Sequence, residues 1–300
     1  MPGKKMEGGP LAQGIRAEIK KQVGIAKGSK IEPNLATILV GDNPASKAYL
    51  RNKHSACTDV GIKSRNIELP ANASQDQLEK VIRDLSDDRA VTGILLQLPL
   101  PKGLNEAAAI SAISKEKDVD GLNSCNLGLL FQKGAKLVPC TPRGILVLLR
   151  YYGVKMAGKH AVIINRTKLL GRPLSQLLLN EDATVTTCHS RTVGLAEVSK
   201  QGDILLTGIG RRSEFTVGPN MIKPGATVVD IGISSVNGKL MGDLDFDAAI
   251  QVASLVTPVP GGVGPMTIAM LLYNTLLTAC LQKGMELDYN PDEMGPTEPL

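Results

Sequence analysis

The sequence predicts an α/β protein of two domains, the second of which is a doubly wound parallel sheet. Its length of 300 residues exceeds that of most single domains. Short apolar segments, typical of buried strands, alternate with segments whose apolar residues recur at helical spacing. Hydrophobic residues make up 43% of the chain, so each domain has enough of them for a core. Apolar strands separated by helices or long loops indicate a parallel sheet that is covered on both faces.

The first third of the chain alternates helices with strands. Leu11, Ile15, Ile19 and Val23 recur every four residues, which predicts an amphipathic helix. The other elements predicted in this region are a buried strand over 35–40, a helix capped by Ser46 that ends near Val60, an amphipathic helix that contains Leu78, Val81, Ile82 and Leu85, and a buried strand over 93–98.

The rest of the chain has a denser pattern of strands. Thr141 and Pro142 resemble an N-cap and a first helical residue, so we expect a helix over 144–152. The long apolar segment 266–281 predicts a helix that either packs back onto the first domain or ends the second, and we expect the former. The tail from Leu287, rich in Pro, Glu and Asp, is expected to be disordered. The strands predicted for the second domain are 161–165, 184–188, 204–207, 227–231 and 255–257.

Composition and charge argue against several classes of function. The net charge of +5 is mild, which suits an enzyme for small anions and argues against nucleic acid as a partner. The five cysteines form no C-x-x-C pair, as expected in a reducing compartment. Cys188 and His189 point to opposite faces of a strand, so we expect no metal site. Residues 1–9 lack the apolar core of a signal peptide, and no uninterrupted apolar run reaches 18 residues, so we expect a cytoplasmic protein without a membrane span.

Three polar residues are candidates for chemistry near the predicted strands. Tyr49 and Lys53 lie about one helical turn apart, so their side chains share a face. A phenol and an amine at one spot can transfer protons if burial lowers the pKa of the lysine, but a solvated lysine beside a tyrosine is the alternative. Gln97 interrupts an apolar strand near its carboxyl end. It either belongs to a ligand site or fixes the Pro-rich loop that follows.

Two further segments leave alternatives open. Asp118 and Asp120 precede Gly121 and form either a simple turn or a site where a carboxylate binds the amino-pyrimidine edge of a ligand. A calcium loop is disfavoured because the spaced ligands and the closing glutamate are missing. The loop 258–265, dense in proline and glycine, is either a rigid turn between domains or a loop through which a ligand approaches the main chain.

The second domain begins without a G-x-G-x-x-G motif after its first strand. The start of the next helix, which contains Gly171 and Pro173, can still present backbone N–H groups to a pyrophosphate. The second strand ends in Ser190 and Arg191. In a dinucleotide-binding sheet an acid at that place favours NAD, whereas a hydroxyl and an arginine favour the 2′-phosphate of NADP, and Arg166 can join them.

These segments together resemble the FolD family, the methylenetetrahydrofolate dehydrogenase/cyclohydrolases, from about residue 11 to about residue 280. The resemblance implies a folate-binding catalytic domain (1–142 and 266–300) and a Rossmann-like NADP-binding domain (143–265). It implies NADP-dependent oxidation of 5,10-methylenetetrahydrofolate, then hydrolysis to 10-formyltetrahydrofolate, in the one-carbon metabolism that supplies purine biosynthesis. The segments that carry it are 40–53, 97–101, 117–122, 139–142 and 257–267.

The resemblance also assigns roles to single residues. It makes Lys53 the catalytic lysine, Tyr49 the residue that stacks on the folate, and Gln97 a partner that tunes Lys53 through a hydrogen bond. Asp120 is expected to bind the pterin. The family forms homodimers whose active site lies in a cleft between the two domains. The folate pocket is expected to include Pro260, Gly261 and Gly262. The expected cofactor contacts are Asn165, Arg166, Thr167, Gly171, Pro173, Ser190, Arg191 and Ile231.

The departures from the family pattern lie in the cofactor domain. The family usually has Gly-Arg-Ser-x-x-Val-Gly-x-Pro after the first strand, and here Asn165 replaces the glycine, Thr167 the serine and Leu170 the valine. Asn165 adds a side chain where the backbone passes close to the cofactor, although asparagine tolerates positive φ. The segment 207–213 also differs from the family and carries two arginines. Cofactor affinity and choice are therefore less constrained than the folate chemistry.

Three other functions are compatible with parts of the pattern. A monofunctional dehydrogenase of the same family has less need of Lys53 and Gln97. A different Rossmann oxidoreductase has no use for Tyr49 and Asp120 in the first domain. A binding protein that has lost catalysis predicts loss of Lys53, which is present. The bifunctional enzyme is therefore favoured.

Overall fold

A computed structural model describes residues 2–295 of the chain, which divide into two compact units. The first unit comprises 14–140 and 268–290, and the second comprises the described residues of 1–13, 141–267 and 291–300. The predicted domains differ from these units mainly at the chain ends, because the first 13 residues and the segment from Pro291 group with the second unit. The assignment of folate to one domain and NADP to the other stays a prediction.

The described residues form helices and strands in the alternation that the sequence predicts. The helices are α1 (Gly9–Gly28), α2 (Pro44–Val60), α3 (Gln75–Asp87), α4 (Glu106–Ala112), α5 (Ser124–Phe131), α6 (Cys140–Tyr151), α7 (Gly171–Asn180), α8 (Leu195–Ser199), α9 (Phe246–Val252) and α10 (Val263–Leu281). The strands are β1 (Lys4–Lys5), β2 (Asn34–Val40), β3 (Lys63–Leu69), β4 (Gly93–Leu96), β5 (His160–Ile164), β6 (Thr184–Cys188), β7 (Ile204–Thr207), β8 (Thr227–Asp230), β9 (Ser234–Val236), β10 (Lys239–Met241) and β11 (Leu255–Val256).

The first unit is built on a three-stranded parallel sheet in the order β3-β2-β4. The central strand β2 is almost wholly buried, as its apolar sequence predicts. One face of the sheet packs on the apolar stripe of α3, formed by Leu78, Ile82 and Leu85. The capping box of Ser74 and Gln77 starts this helix, since each side chain accepts a backbone N–H of the other residue. The site residues that follow β4 therefore rest on a well-packed sheet.

The second unit contains a six-stranded parallel sheet in the order β1-β11-β8-β7-β5-β6. The chain adds β6 on one side of β5 and then crosses to add β7 on the other side. Such a reversal of strand order opens a crevice at the carboxyl ends of β5 and β7, where open α/β sheets bind dinucleotides. The predicted Rossmann-like second domain is confirmed.

The helix α10 is long and apolar enough to cross a membrane by length and composition, but most of it is buried inside the protein. It carries the fully buried Asn274, whose amide donates to the carbonyls of Val119 (2.8 Å) and Val138 (3.0 Å). These bonds lie within the first unit. The prediction that the C-terminal helix packs back onto the first domain is confirmed, and α10 is a core helix.

Two predicted helix starts are wrong. Ser46 is not the cap of α2, because the helix begins at Pro44 and the side chain of Asn43 accepts the Ser46 backbone N–H (3.1 Å). Thr141 is not the cap of α6, which already begins at Cys140. In both places a proline lies in the first turn, where its missing N–H costs no hydrogen bond.

The prediction of a disordered tail is wrong for the described residues after Leu287. A short 3-10 helix covers Pro291–Glu293, and Pro291 is buried. The carboxylate of Asp292 accepts from the guanidinium of Arg143 (2.7 Å) and also lies 3.3 Å from that of Arg150. The guanidinium of Arg143 is largely desolvated, so its charge needs this partner. Residues 296–300, for which the same prediction was made, lie outside the described residues.

Candidate active site

The helix α2 brings Tyr49 and Lys53 together on one face, as their spacing predicts. The Lys53 ammonium lies 4.4 Å from the centre of the Tyr49 ring, in the geometry of a cation–π contact. Lys53 is 6% exposed, so the alternative of a solvated lysine is wrong. Burial of the amine is the first requirement for a lysine that exchanges protons near neutral pH, because burial lowers the pKa of the lysine.

Gln97 lies directly after β4 and supplies the polar partner of this amine. Its Oε1 accepts from Lys53 Nζ at 3.2 Å, and its Nε2 donates to the Leu98 carbonyl at 2.7 Å. The second bond fixes the orientation of the amide, because only the nitrogen can donate to a carbonyl. The oxygen of Gln97 is thereby held towards Lys53. Gln97 therefore anchors the following loop and also contacts the Lys53 amine, and its place in a ligand site stays a prediction.

The two acids of the segment 117–121 have different surroundings. Asp118 is buried and accepts from the Asn123 backbone and from the Asn126 amide, both at 2.8 Å, so it holds a turn. Asp120 is partly buried, and its charge acts on Lys53 and Tyr49. Gly121 has φ +68° and no room for a Cβ, which would lie 2.7 Å from the backbone of Val138. The turn geometry that only glycine permits therefore places Asp120 in the cluster.

Burial and charge act against each other at Lys53. Desolvation lowers the pKa of Lys53, and the charge of Asp120 opposes that decrease. Burial likewise raises the pKa of Asp120, against the effect of the Lys53 charge. Burial, reinforced by Asp120, raises the pKa of the Tyr49 phenol, so this hydroxyl stays protonated at neutral pH. The arrangement favours an amine that gains and loses a proton beside a phenol that does not.

Two buried residues support this cluster and were not predicted from the sequence. Cys140 donates its thiol hydrogen to the Val119 carbonyl (3.3 Å), next to Asp120. Asn274 of α10 binds the carbonyls of Val119 and Val138 and so joins the two backbone segments around Asp120. A polar amide inside the apolar segment 266–281 is the same signal that identified Gln97, and it could have identified Asn274.

The predicted folate-pocket residues Pro260, Gly261 and Gly262 belong to the second unit, whereas Lys53 belongs to the first. The Gly261 carbonyl accepts the backbone N–H of Gly8 at 2.9 Å. Gly261 has φ +106°, and a Cβ on Gly262 would lie 2.6 Å from a backbone oxygen. Glycine is required at both positions, so the conformation of this loop depends on them.

The loop that joins β5 to α7 is organised by Asn165. Its Oδ1 accepts the backbone N–H of Thr167 (2.8 Å), the Thr167 hydroxyl (2.8 Å) and the backbone N–H of Gly171 (3.0 Å). Its Nδ2 donates to the Gly208 carbonyl, after β7, at 2.5 Å. A Cβ on Gly171 would lie 2.0 Å from the Asn165 carbonyl oxygen, so glycine is obligatory there. Pro173 is buried in the first turn of α7.

The remaining predicted cofactor contacts lie at the same edge of the sheet. The strands β5 and β6 are paired neighbours, so the residues that follow them emerge side by side. Ile231 follows β8, is partly buried and donates its backbone N–H to the Thr207 carbonyl (2.7 Å). Guanidinium and hydroxyl groups at the end of β5 and β6 suit a phosphate on an adenosine ribose. The exposed residues that carry them are Arg166, Ser190 and Arg191.

Within residues 2–295, no group of three or more His, Cys, Asp or Glu side chains is arranged to hold a metal ion. The described cysteines Cys57, Cys125, Cys140, Cys188 and Cys280 are all free thiols.

Comparison with known proteins gives one consistent result. Residues 6–120 match the sequence model of the tetrahydrofolate dehydrogenase/cyclohydrolase catalytic domain, and residues 139–283 match that of the NAD(P)-binding domain of the same enzymes. The bifunctional protein FolD of Nitrosopumilus maritimus is 50% identical over 281 residues, which are 94% of this chain and 98% of that protein.

Solved structures agree. The bifunctional FolD of Campylobacter jejuni, a methylenetetrahydrofolate dehydrogenase/cyclohydrolase, is 41% identical with a TM-score of 0.89 over 93% of this chain and 99% of that chain. The FolD of Trypanosoma brucei, crystallised with NADP and an inhibitor, is 36% identical with a TM-score of 0.89 over 95% of this chain and 100% of that chain. With both domains matched in order, this chain belongs to the tetrahydrofolate dehydrogenase/cyclohydrolase family.

Proposed function

We propose that this chain is a bifunctional enzyme, an NADP-dependent methylenetetrahydrofolate dehydrogenase and a methenyltetrahydrofolate cyclohydrolase. The observation that carries the proposal is the buried Lys53, held between the Tyr49 ring and the Gln97 amide within the segment that matches the family's catalytic domain. A desolvated amine with one fixed acceptor is suited to moving protons at a folate carbon. Relatives named bifunctional FolD support both activities.

Tyr49, Asp120 and the loop 260–262 are proposed to bind the folate. Asp120 offers two acceptor oxygens to the amino and ring N–H groups of a pterin, and such paired bonds select one edge of the heterocycle. Tyr49 offers an aromatic face that stays uncharged because the pKa of its phenol is raised. The glycines at 261 and 262 let the main chain approach the ligand closely.

In the dehydrogenase reaction a hydride leaves the methylene bridge of 5,10-methylenetetrahydrofolate, and bound NADP supplies the hydride acceptor. The protein contributes position: the folate contacts orient the methylene carbon, and the sheet edge after β5 and β6 orients the cofactor. The product is the 5,10-methenyl cation. No acid or base is needed for this step, so Lys53 contributes to it only through folate binding and through its charge.

In the cyclohydrolase reaction water adds to the methenyl carbon and loses a proton, and the ring then opens as one nitrogen gains a proton. Lys53 is proposed to move these protons, because it is a buried amine with a lowered pKa. The balance is one water consumed and one proton released for each 10-formyltetrahydrofolate formed. Gln97 positions the amine through the 3.2 Å hydrogen bond.

Cofactor preference for NADP over NAD is proposed from three groups at the carboxyl ends of the first two strands of the second sheet. Arg166, Ser190 and Arg191 are exposed there and can surround a 2′-phosphate. No acid stands at the end of β6, where a ribose 2′-hydroxyl would need one. The NAD(P)-binding domain match, and the NADP bound to the Trypanosoma brucei relative, support this assignment.

A homodimeric enzyme of the cytoplasm that supplies one-carbon units for purine biosynthesis is proposed as the setting. The free thiols among the described residues are consistent with a reducing compartment. Size-exclusion chromatography with light scattering tests the dimer directly: a mass of twice 31.8 kDa is expected, and a mass of 31.8 kDa at assay concentration contradicts it.

One assay tests the two activities. Purified protein receives 5,10-methylenetetrahydrofolate with NADP or with NAD, while methenyl and formyl products are followed separately. We expect methenyl formation that is faster with NADP, and formyl formation faster than the uncatalysed hydrolysis. Methenyl product alone would favour the monofunctional dehydrogenase, and failure of both steps would refute the proposal.

A further inference from the structure

The side chain of Asn165 lies at the crevice formed where the strand order of the second sheet reverses. It follows β5 and bonds to the Gly208 carbonyl, which follows β7, so its amide joins the two loops that flank the crevice. Cofactor phosphates bind at this place in doubly wound sheets, on the N–H groups at the start of the helix after the first strand. The helix in question is α7, which begins at Gly171.

The donors at this place are already occupied by the protein itself. The Asn165 Oδ1 atom accepts the Gly171 N–H, the Thr167 N–H and the Thr167 hydroxyl, all within 3.0 Å. The N–H groups of Ile209 and Gly210, after β7, are taken by the buried carboxylate of Asp243 at 2.6 and 2.9 Å. One carboxamide oxygen thus has the contacts that a phosphate oxygen would make.

We infer that Asn165 occupies the position of a cofactor phosphate oxygen in the cofactor-free protein, and that its displacement sets the affinity for NADP. The inference rests on the proposed cofactor site. It identifies Asn165 as a residue that weakens cofactor binding there. A phosphate that enters must take over the Gly171 and Thr167 donors, and the Asn165 amide must then leave them and the Gly208 carbonyl. A glycine at this position would present no competing acceptor.

A purely structural role for Asn165 would give a different result from competition with the cofactor pyrophosphate. If Asn165 merely stiffens the loop, its removal adds disorder and weakens every ligand of the site. If it competes with the pyrophosphate, its removal strengthens NADP while leaving ligands without a pyrophosphate unaffected. Adenosine 2′-monophosphate is such a ligand, because it carries the ribose 2′-phosphate alone.

The test measures Kd by isothermal titration for NADP and for adenosine 2′-monophosphate on wild type, Asn165→Gly and Asn165→Asp. Asn165→Gly is expected to lower the Kd for NADP about tenfold, roughly the effect of one net hydrogen bond, and to leave that of adenosine 2′-monophosphate within about twofold. Asn165→Asp is expected to raise the Kd for NADP at least about tenfold, because a carboxylate accepts the same donors and repels the phosphate. Leu169→Gly is the control for loop flexibility, since Leu169 is exposed and neutral.

Circular dichroism and thermal melting of each variant establish that it is folded. The inference would be overturned if Asn165→Gly bound NADP more weakly than wild type and to the same degree as Leu169→Gly. Equal gains in affinity for NADP and for adenosine 2′-monophosphate would also overturn it, as would a lack of NADP binding in every variant. These outcomes are separate from a failure of the proposed function, which shows in the wild type as absence of both folate reactions.

Discussion

The hydrogen bond between Lys53 and Gln97 yields a prediction whose sign and size follow from the structure. The Gln97 oxygen accepts from the charged form of Lys53 at 3.2 Å and so stabilises it. A hydrogen bond to a charged group contributes about 1.5–3 kcal/mol, and 1.36 kcal/mol corresponds to one pKa unit. Gln97→Leu should therefore lower the pKa of Lys53 further, in addition to the decrease that burial already causes.

The observable is the pH–rate profile of the cyclohydrolase. The limb that Lys53 controls should move to lower pH by about 1–2 units in Gln97→Leu. This direction holds whether the amine or the ammonium is the active form, because in either case the limb follows the pKa of the lysine.

Gln97→Glu is the matched control. It puts a carboxylate next to the ammonium, so the limb should move to higher pH by about 1–3 units. Both variants lose the same donor to the Leu98 carbonyl, so the structural cost is shared. Shifts in the same direction, or no shift in either variant, would show that Gln97 only anchors the loop and would refute the reasoning.

Three further variants test the remaining roles. Lys53→Met should abolish ring opening in a folded protein, measured as formyl product from the methenyl compound, and a wild-type rate would refute the assignment. Asp120→Ala should raise the KM for folate about 10–100-fold, as expected for the loss of charge-assisted bonds, and leave the Kd for NADP unchanged; equal losses would indicate a folding role. Arg166→Ala should lower kcat/KM with NADP about 10–100-fold with little change for NAD, and an equal drop would mean that Arg166 holds the loop or the pyrophosphate.

The parts of the fold that the sequence predicts well are the ones whose hydrophobic pattern is unambiguous. The predicted strands 184–188 and 204–207 coincide with β6 and β7. The strand β7 is wholly buried, whereas β6 is a partly exposed edge strand whose Thr and Val side chains favour the extended conformation. Where apolar or β-branched residues follow one another, the sequence carries the necessary information locally.

The strand β3 and the ordered tail lack such a local pattern and were missed. The edge strand β3 (Lys63–Leu69) has charged residues along an exposed face, and it forms because β2 pairs with it along its whole length. The tail after Leu287 is ordered by Arg143 and Arg150, more than 140 residues away in the chain. Pairing between distant segments leaves no periodic signal, so composition alone predicts the wrong state.

The sequence pattern likewise identified some residues of the candidate site and not others. The spacing of Tyr49 and Lys53 and the isolated amide of Gln97 were visible in the sequence, but spacing alone could not say that Lys53 is buried. The difference between Asp118 and Asp120 was visible only through the family resemblance, since either acid can form a turn. In the structure Asn123 and Asn126 bind Asp118, and this leaves Asp120 next to Lys53.

Asn165 and Asn274 illustrate a general difficulty in assigning polar residues. Each bonds backbone groups of two separate segments, yet one lies at the proposed cofactor crevice and the other inside the core. A buried amide must find such partners wherever it lies, so the bonds alone do not distinguish a ligand competitor from a structural clamp. What distinguishes them is whether a ligand needs the same donors: a phosphate needs the Gly171 N–H that Asn165 holds, whereas Asn274 is itself the donor and binds carbonyls. The expected consequences are opposite, because removing Asn165 should strengthen a ligand and removing Asn274 should weaken the placement of Asp120.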